Sequence, residues 1–113
     1  MKFTDDAHDR IVVFELSGRI MGGDESTRFH GRIREHINNN QRRFVIDMDK
    51  VDWINSVGLG MLISALTTIR KAEGRMVLSG IHNVESILSL TRLIKVFETC
   101  DTRDEAVAML KEG

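Results

Sequence analysis

The sequence predicts an α/β fold: a mixed, mostly parallel sheet covered by helices, in the order β-β-α-β-α-β-α-β-α. Three observations carry this. Apolar runs such as Ile11-Val12-Val13-Phe14-Glu15-Leu16 and Phe44-Val45-Ile46-Asp47-Met48 have the make-up of strands buried on both faces. Other stretches place apolar residues at i, i+3, i+4 and i+7, the spacing of a buried helical face. The two kinds of segment alternate, which favours parallel strands joined by right-handed helical crossovers.

Each element has its own local reason. Phe3 to Ala7 reads as a short edge strand and Ile11 to Leu16 as a central one. Ser17-Gly18 and Gly22-Gly23 punctuate the loop that follows. Asp24 or Ser26 can cap a helix running to about Ile37, with Phe29, Ile33 and Ile37 on one stripe. Asn38-Asn39-Asn40 ends it, because Asn tolerates the left-handed conformation. Phe44 to Met48 is the next strand, followed by an acidic loop with Trp53 and Ile54. Leu59, Leu62, Ile63, Leu66 and Ile69 line the inner face of the following helix, and Arg70, Lys71 and Gly74 signal its end. Met76 to Ser79 is a short strand, and Asn83 can cap a short helix carrying Val84, Ile87 and Leu88. Ile94 to Phe97 is the expected last strand. Thr102-Arg103-Asp104-Glu105 is a capping box for a final helix whose inner face carries Val107 and Leu110.

The 113 residues suit one domain spanning 1–113, and 42% hydrophobic content is enough for a packed core. Sixteen basic and seventeen acidic residues leave a formal charge of −1, so no strong field favours nucleic acid or an anionic membrane. Five Phe, one Trp and no Tyr offer few stacking platforms for single-stranded nucleic acid. The apolar runs are far shorter than the roughly 20 residues of a membrane span, so no membrane insertion is expected. Cys100 is the only cysteine and reads as a small hydrophobe; with no signal-peptide pattern, the expected setting is a reducing cytoplasm.

Enzyme chemistry finds little support. Asp47, Asp49 and Asp52 could hold a magnesium ion, or mark a receiver-like phosphorylation site. A receiver also needs an acidic pair after an early strand, and Leu16 leads into Ser17-Gly18-Arg19 instead. His8, His30, His36 and His82 lack i, i+4 metal spacing and read as surface or capping residues. Ser56 lacks a Gly-x-Ser-x-Gly elbow, and Gly22-Gly23 has no P-loop continuation. No catalytic residue, metal site or cofactor is expected.

The informative stretch is Asn55-Ser56-Val57-Gly58-Leu59-Gly60, between a strand and a long apolar helix. The first turn of a helix has free backbone N–H groups and the positive end of the helix dipole. Ser56 could cap it, lie beside a bound anion, or carry a phosphate itself. Gly58 and Gly60 are poor helix residues, each costing up to about 1 kcal/mol against Ala, which suggests close approach of something to the backbone. That something could be a loop of the same chain or a partner's surface.

The string Asp52-Trp53-Ile54-Asn55-Ser56-Val57-Gly58-Leu59-Gly60-Met61-Leu62 resembles the signature of STAS domains, and more narrowly that of bacterial anti-sigma factor antagonists. Their usual string is Asp-Ser-Ser/Thr-Gly-Leu-Gly followed by an apolar helix. Leu16-Ser17-Gly18-Arg19-Ile20, Phe44 to Met48 and Gly74 to Gly80 resemble other family segments, so the likeness covers nearly the whole chain. It implies a protein-binding switch rather than an enzyme. The unphosphorylated form would bind a serine kinase/anti-sigma factor of the histidine-kinase-like ATPase type. Phosphorylation of Ser56 would release that partner, and a serine phosphatase would reset the switch. The implied contact residues are Gly22, Gly23, Asp24, Asn55, Ser56, Val57, Gly58, Leu59 and Gly60. Two positions depart from the family string: Asn55 replaces Asp, and Val57 replaces Ser or Thr, leaving Ser56 the sole hydroxyl of the loop. The Asn55 change motivates an alternative, an unphosphorylated module serving as a scaffold or a subunit of lipid-transport machinery.

Overall fold

The computed structural model describes residues 1–112, apart from the Leu93 side chain. Gly113, the last residue of the expected domain, lies outside the described residues. Five strands form one sheet in the spatial order β1-β2-β3-β4-β5: β1 (Lys2–His8), β2 (Ile11–Ile20), β3 (Arg43–Ile54), β4 (Arg75–Ser79) and β5 (Glu98–Cys100). β1 is antiparallel to β2, and the remaining neighbours are parallel. The helices are α1 (Asp24–Asn38), α2 (Ser56–Lys71), α3 (Glu85–Leu90) and α4 (Arg103–Glu112).

Alternation along the strands divides the core between two faces. Phe14 and Leu16 of β2 and Phe44, Ile46 and Met48 of β3 pack with Phe29 and Ile33 of α1 and with Leu62, Ala65 and Ile69 of α2. The intervening Ile11, Val45 and Val77 pack on Ala106 and Leu110 of α4. Phe14 anchors the larger core, with its ring 5.0 Å from that of Phe29 in an edge-on arrangement.

Several sequence expectations are corrected. β2 and β3 run on past Leu16 and Met48 as a paired extension that ends at Ile20↔Ile54. Gly18, at φ +83°, sits at a register shift inside β2 and therefore bulges the strand instead of turning it. Val51 and Ile54 are buried, which is why the supposed acidic loop is strand. The apolar run Ile94 to Phe97 is not a strand: Leu93–Val96 is a 3₁₀ turn, entered through left-handed Arg92 (φ +59°). Phe97 plugs the core, and the strand is Glu98–Cys100. Two expected caps are also absent from their places. α1 starts at Asp24 on the carbonyl of Gly23, with no side-chain cap from Asp24 or Ser26. Asn83 lies in a 3₁₀ turn (Ile81–Asn83), where its amide donates to the Asp49 carbonyl at 3.2 Å, and Val84 precedes α3. Finally, Glu73 at φ +64°, not Gly74, takes the left-handed step after α2. Gly74 is needed because a Cβ there would stand 2.5 Å from the Arg42 carbonyl oxygen.

His36 is buried, contrary to the surface role expected for it. Its Nε2 lies 2.6 Å from Asp5 Oδ2, and the Arg32 guanidinium donates to the same oxygen at 2.7 Å. This cluster ties edge strand β1 to α1. Burial works to raise the Asp5 carboxyl, but the hydrogen bonds from Arg32 and His36 outweigh it and hold the carboxyl below its ordinary value of 3.8. Its contribution to stability is therefore complete above pH 3.8 and lost as pH falls through the lower folded value. Asp5→Asn is expected to cost about 1–2 kcal/mol at pH 7 in denaturant unfolding. The gap to the native protein should close in strong acid; a constant gap down to pH 2 would contradict the assignment.

Candidate partner-docking site

The site is built where β2 and β3 end together. The Asn55 N–H donates to the Ile20 carbonyl at 3.2 Å, carrying the strand pairing one residue beyond β3. α2 begins immediately afterwards and is pressed against the same carbonyl. A Cβ on Gly58 would stand 2.2 Å from Ile20 O and 2.7 Å from Ile20 Cγ2. Only glycine fits, and the close approach comes from this chain's own backbone. Leu59, 4% exposed, anchors the first turn in the core.

The cap is Asn55, not Ser56. Asn55 is extended (φ −104°, ψ −178°), and its Oδ1 accepts a hydrogen bond from the Gly58 N–H at 2.8 Å. Ser56 is the first residue of α2, and its side chain is exposed. The capping bond thus belongs to a neighbour and leaves the Ser56 hydroxyl out of it. The first turn of α2 carries no acidic residue of its own, so nothing within this 16-residue helix offsets its positive pole at Ser56.

A second loop leans on this one. Gly22 (φ +91°) and Gly23 (φ +95°) precede α1, and a Cβ on Gly22 would stand 2.5 Å from Val57 Cγ1. The two loops are therefore in contact through Val57, which is still 61% exposed. Gly23 and Asp24 are exposed beside it. Gly60 is exposed too, and a Cβ there would meet nothing within 4 Å. The nine expected contact residues thus lie together but divide by role. Gly23, Asp24, Ser56, Val57 and Gly60 face solvent, Gly22 and Asn55 are half-buried, and Gly58 and Leu59 fix the loop from within.

Between α1 and α2 runs a cleft of about 540 Å³ that the sequence did not reveal, reaching from Val57 past His30 to Met61 and Ser64. His30 Nε2 lies 2.8 Å from Thr68 Oγ1, joining the helices. Burial, and then the nearby Arg34 charge, hold this imidazole below its ordinary value.

The carboxylates considered for a magnesium site are dispersed. Asp47 accepts from Arg103 at 2.8 Å, and Arg103 also pairs with Glu15. Asp49 lies 3.2 Å from His82 Nε2, and Asp52 is exposed. Hydrogen bonds first from Lys50 and then from Arg103 hold the Glu15 carboxyl below its usual range. Among the described residues no three His, Cys, Asp or Glu side chains gather as a metal ion would require.

These features define an α/β domain that presents one serine on the rim of a paired-loop surface. The STAS domain family model matches residues 2–106, and the chain belongs to that family. The chain is 23% identical over 112 residues to BtrV of Bordetella bronchiseptica, a candidate anti-sigma factor antagonist, covering 98% of this chain and 96% of that protein. The crystal structure of a candidate anti-sigma factor antagonist from Thermotoga maritima superposes with a TM-score of 0.83 at 22% identity, covering 96% of this chain and 94% of that one. The anti-sigma factor antagonist SpoIIAA in its unphosphorylated form gives a TM-score of 0.76 at 15% identity, covering 99% of both chains. SpoIIAA of Bacillus in its phosphorylated form gives 0.73 at 16% identity, covering 96% of this chain and 98% of that one.

Two glycines of one helix should respond oppositely to the same substitution. Gly58→Ala is expected to cost at least about 2 kcal/mol, because a backbone carbonyl occupies the space. Gly60→Ala should stabilise by up to about 1 kcal/mol through helix propensity alone. Thermal unfolding of the two variants checks this, and equal shifts would contradict the packing at Ile20.

Proposed function

We propose that this protein is an anti-sigma factor antagonist that works as a binding switch and not as an enzyme. In its unphosphorylated form the surface made by Gly22, Gly23, Asp24, Asn55, Ser56, Val57 and Gly60 docks on a serine kinase/anti-sigma factor of the histidine-kinase-like ATPase type. The partner transfers phosphate to the Ser56 hydroxyl and is released, and a serine phosphatase restores the binding form. One observation supports this reading above the others: Ser56 is exposed at the first position of α2 while Asn55 makes the cap.

The physical logic is asymmetric. A phosphate brings about −1.5 to −2 charges. Within the domain it would sit at the positive end of α2, whose first turn carries no acidic residue and where an anion is favoured. At the docking surface the same group is a hydrated dianion, which a packed interface must desolvate or exclude. Asn55 sharpens this contrast. A carboxylate there would repel the phosphate one residue away, and the amide keeps the capping oxygen without that charge.

The Asn55 position also favours a second reading, because a kinase that needs a carboxylate to position the serine or its metal finds none there. That reading is an unphosphorylated module acting as a scaffold or as a subunit of lipid-transport machinery.

One experiment separates them. The protein is incubated with a purified histidine-kinase-like anti-sigma factor and ATP, then digested for mass spectrometry. The expected result is a single phosphate on the Ser56 peptide. Ser56→Ala should keep its affinity in calorimetry, and Ser56→Asp should lose about tenfold or more. An active kinase that leaves Ser56 unmodified, or equal affinities for the two variants, would overturn the switch.

A further inference from the structure

The sheet has two edges, and the fold treats them differently. β5 (Glu98–Cys100) offers only three residues and is followed closely by α4. β1 (Lys2–His8) offers seven and pairs with β2 on one side only. Its register is unbroken from Lys2↔Ser17 to His8↔Ile11. A long, regular edge strand without proline or bulge is a template for another strand.

The turn that closes β1 decides which of its main-chain groups are free. Asp9 (φ +52°) and Arg10 (φ +65°) are both left-handed, as a two-residue type I′ hairpin turn requires. His8 and Ile11 flank that turn and therefore exchange both of their main-chain hydrogen bonds. Such pairs recur at every second residue of an antiparallel ladder, so Lys2, Thr4, Asp6 and His8 turn their N–H and C=O groups toward β2. Phe3, Asp5 and Ala7 turn theirs outward, and among the described residues no hydrogen bond of the turns and loops reaches them. The side chains alternate in the same way. Phe3 and Asp5 point toward α1, where Phe3 stands edge-on to Phe29 at 5.8 Å and Asp5 pairs with Arg32. Lys2, Thr4 and Asp6 are exposed. Lys2 and Asp6 take part in no ion pair among the described residues.

We propose that β1 is a self-pairing edge: two copies of this chain join antiparallel through β1, about a two-fold axis at Thr4, into one continuous sheet. The choice of occupant follows from the registers open to the strand. Because Phe3, Asp5 and Ala7 carry the outward groups, only alignments that set these residues opposite one another can bond. An alignment centred on Asp5 puts that carboxylate opposite its own copy, and one centred on Asp6 does the same with Asp6. Like charges directly opposite each other are unfavourable. An alignment centred on Phe3 engages only the first residues of the strand. Centred on Thr4, Phe3 of each copy faces Asp5 of the other through about four main-chain hydrogen bonds in all. Lys2 then faces Asp6 twice, once on each side of the axis. These fall at the closely spaced pairs, where cross-strand side chains lie nearest. The charges that would guard this edge against other strands thus match a second copy of it. On the α1 face the cations beside β1 are Arg28, over the Phe3 ring, and Arg32. Both are already paired within their own copy, Arg28 with Glu25 and Arg32 with Asp5 and Glu35. The pair closes on itself and carries two Ser56 loops, since β1 is a side of the sheet and Ser56 follows the end of β3.

Sedimentation velocity over about 0.01–1 mM tests this, because an interface made by one strand pair is small and associates weakly. The native chain is expected to move from the monomer mass toward twice that mass. Lys2→Glu and Asp6→Lys should each abolish the rise, and the double variant should restore it, since the exchanged charges again face one another. A covalent marker reads the register without relying on charge. In a Cys100→Ser background, Thr4→Cys should be captured as a disulfide dimer under mild oxidation, because residues facing each other at the axis lie about 4.5 Å apart at Cα. Asp6→Cys in the same background should stay monomeric. Any of three results would overturn the inference: a native chain still monomeric at about 1 mM, association untouched by either single charge change, or capture of Asp6→Cys in place of Thr4→Cys.

Discussion

The contact between the Gly58 backbone and the carbonyl of Ile20 is the constraint on which the site depends. It sets the distance between the end of β2 and the start of α2, and no side chain fits between them. With that distance fixed, Asn55 continues the strand pairing to Ile20 and turns its side chain to cap the helix. Leu59 drops into the core, and Ser56 is left facing outward at the first helical position. The neighbouring loop follows the same logic, since Gly22 admits Val57 only because it lacks a Cβ. A small set of close approaches thus converts an ordinary strand-to-helix connection into a rigid presenting surface. Such rigidity suits a binding site, because little loop entropy is left to lose on association.

The electrostatics of the same corner suit reversible charging. The first turn of α2 has no acidic side chain, and the cap is an amide. A carboxylate cap would already neutralise part of the helix pole and would crowd an added phosphate. The Asn55 cap leaves the pole free for it. A phosphate on Ser56, as proposed, would therefore act at the surface and meet a favourable field within the helix itself. Two ion-pair clusters brace the domain away from this corner, with Asp5 and Arg32 tying β1 to α1 and with Asp47 and Arg103 tying β3 to α4.

Much of this was legible in the sequence, and the exceptions share a cause. The central strands, the apolar stripe of α2 and the Thr102 capping box could be read because each is fixed by local periodicity or local hydrogen bonding; the Glu105 N–H does donate to the Thr102 hydroxyl oxygen, at 3.2 Å. The extension of β2 through Ser17-Gly18 could not, since a left-handed glycine serves equally in a turn or a bulge and only pairing with β3 decides. The run from Ile94 to Phe97 misled because a short apolar run does not distinguish a strand from a turn plugged into a core. The sequence reading put the cap at Ser56; the structure puts it one residue earlier, because Asn55, tied to the Ile20 carbonyl, is the last extended residue before α2.

The central claim is that phosphate at Ser56 acts on the surface and leaves the fold alone. The most direct measurement is the amide NMR spectrum of the protein before and after stoichiometric phosphorylation of Ser56. Shifts confined to residues 20–24 and 53–61 are expected, with the Phe14, Phe44 and Met76 amides unmoved. Shifts spreading through those core strands, or loss of signal dispersion, would show that the modification works by rearranging the domain and would contradict the account.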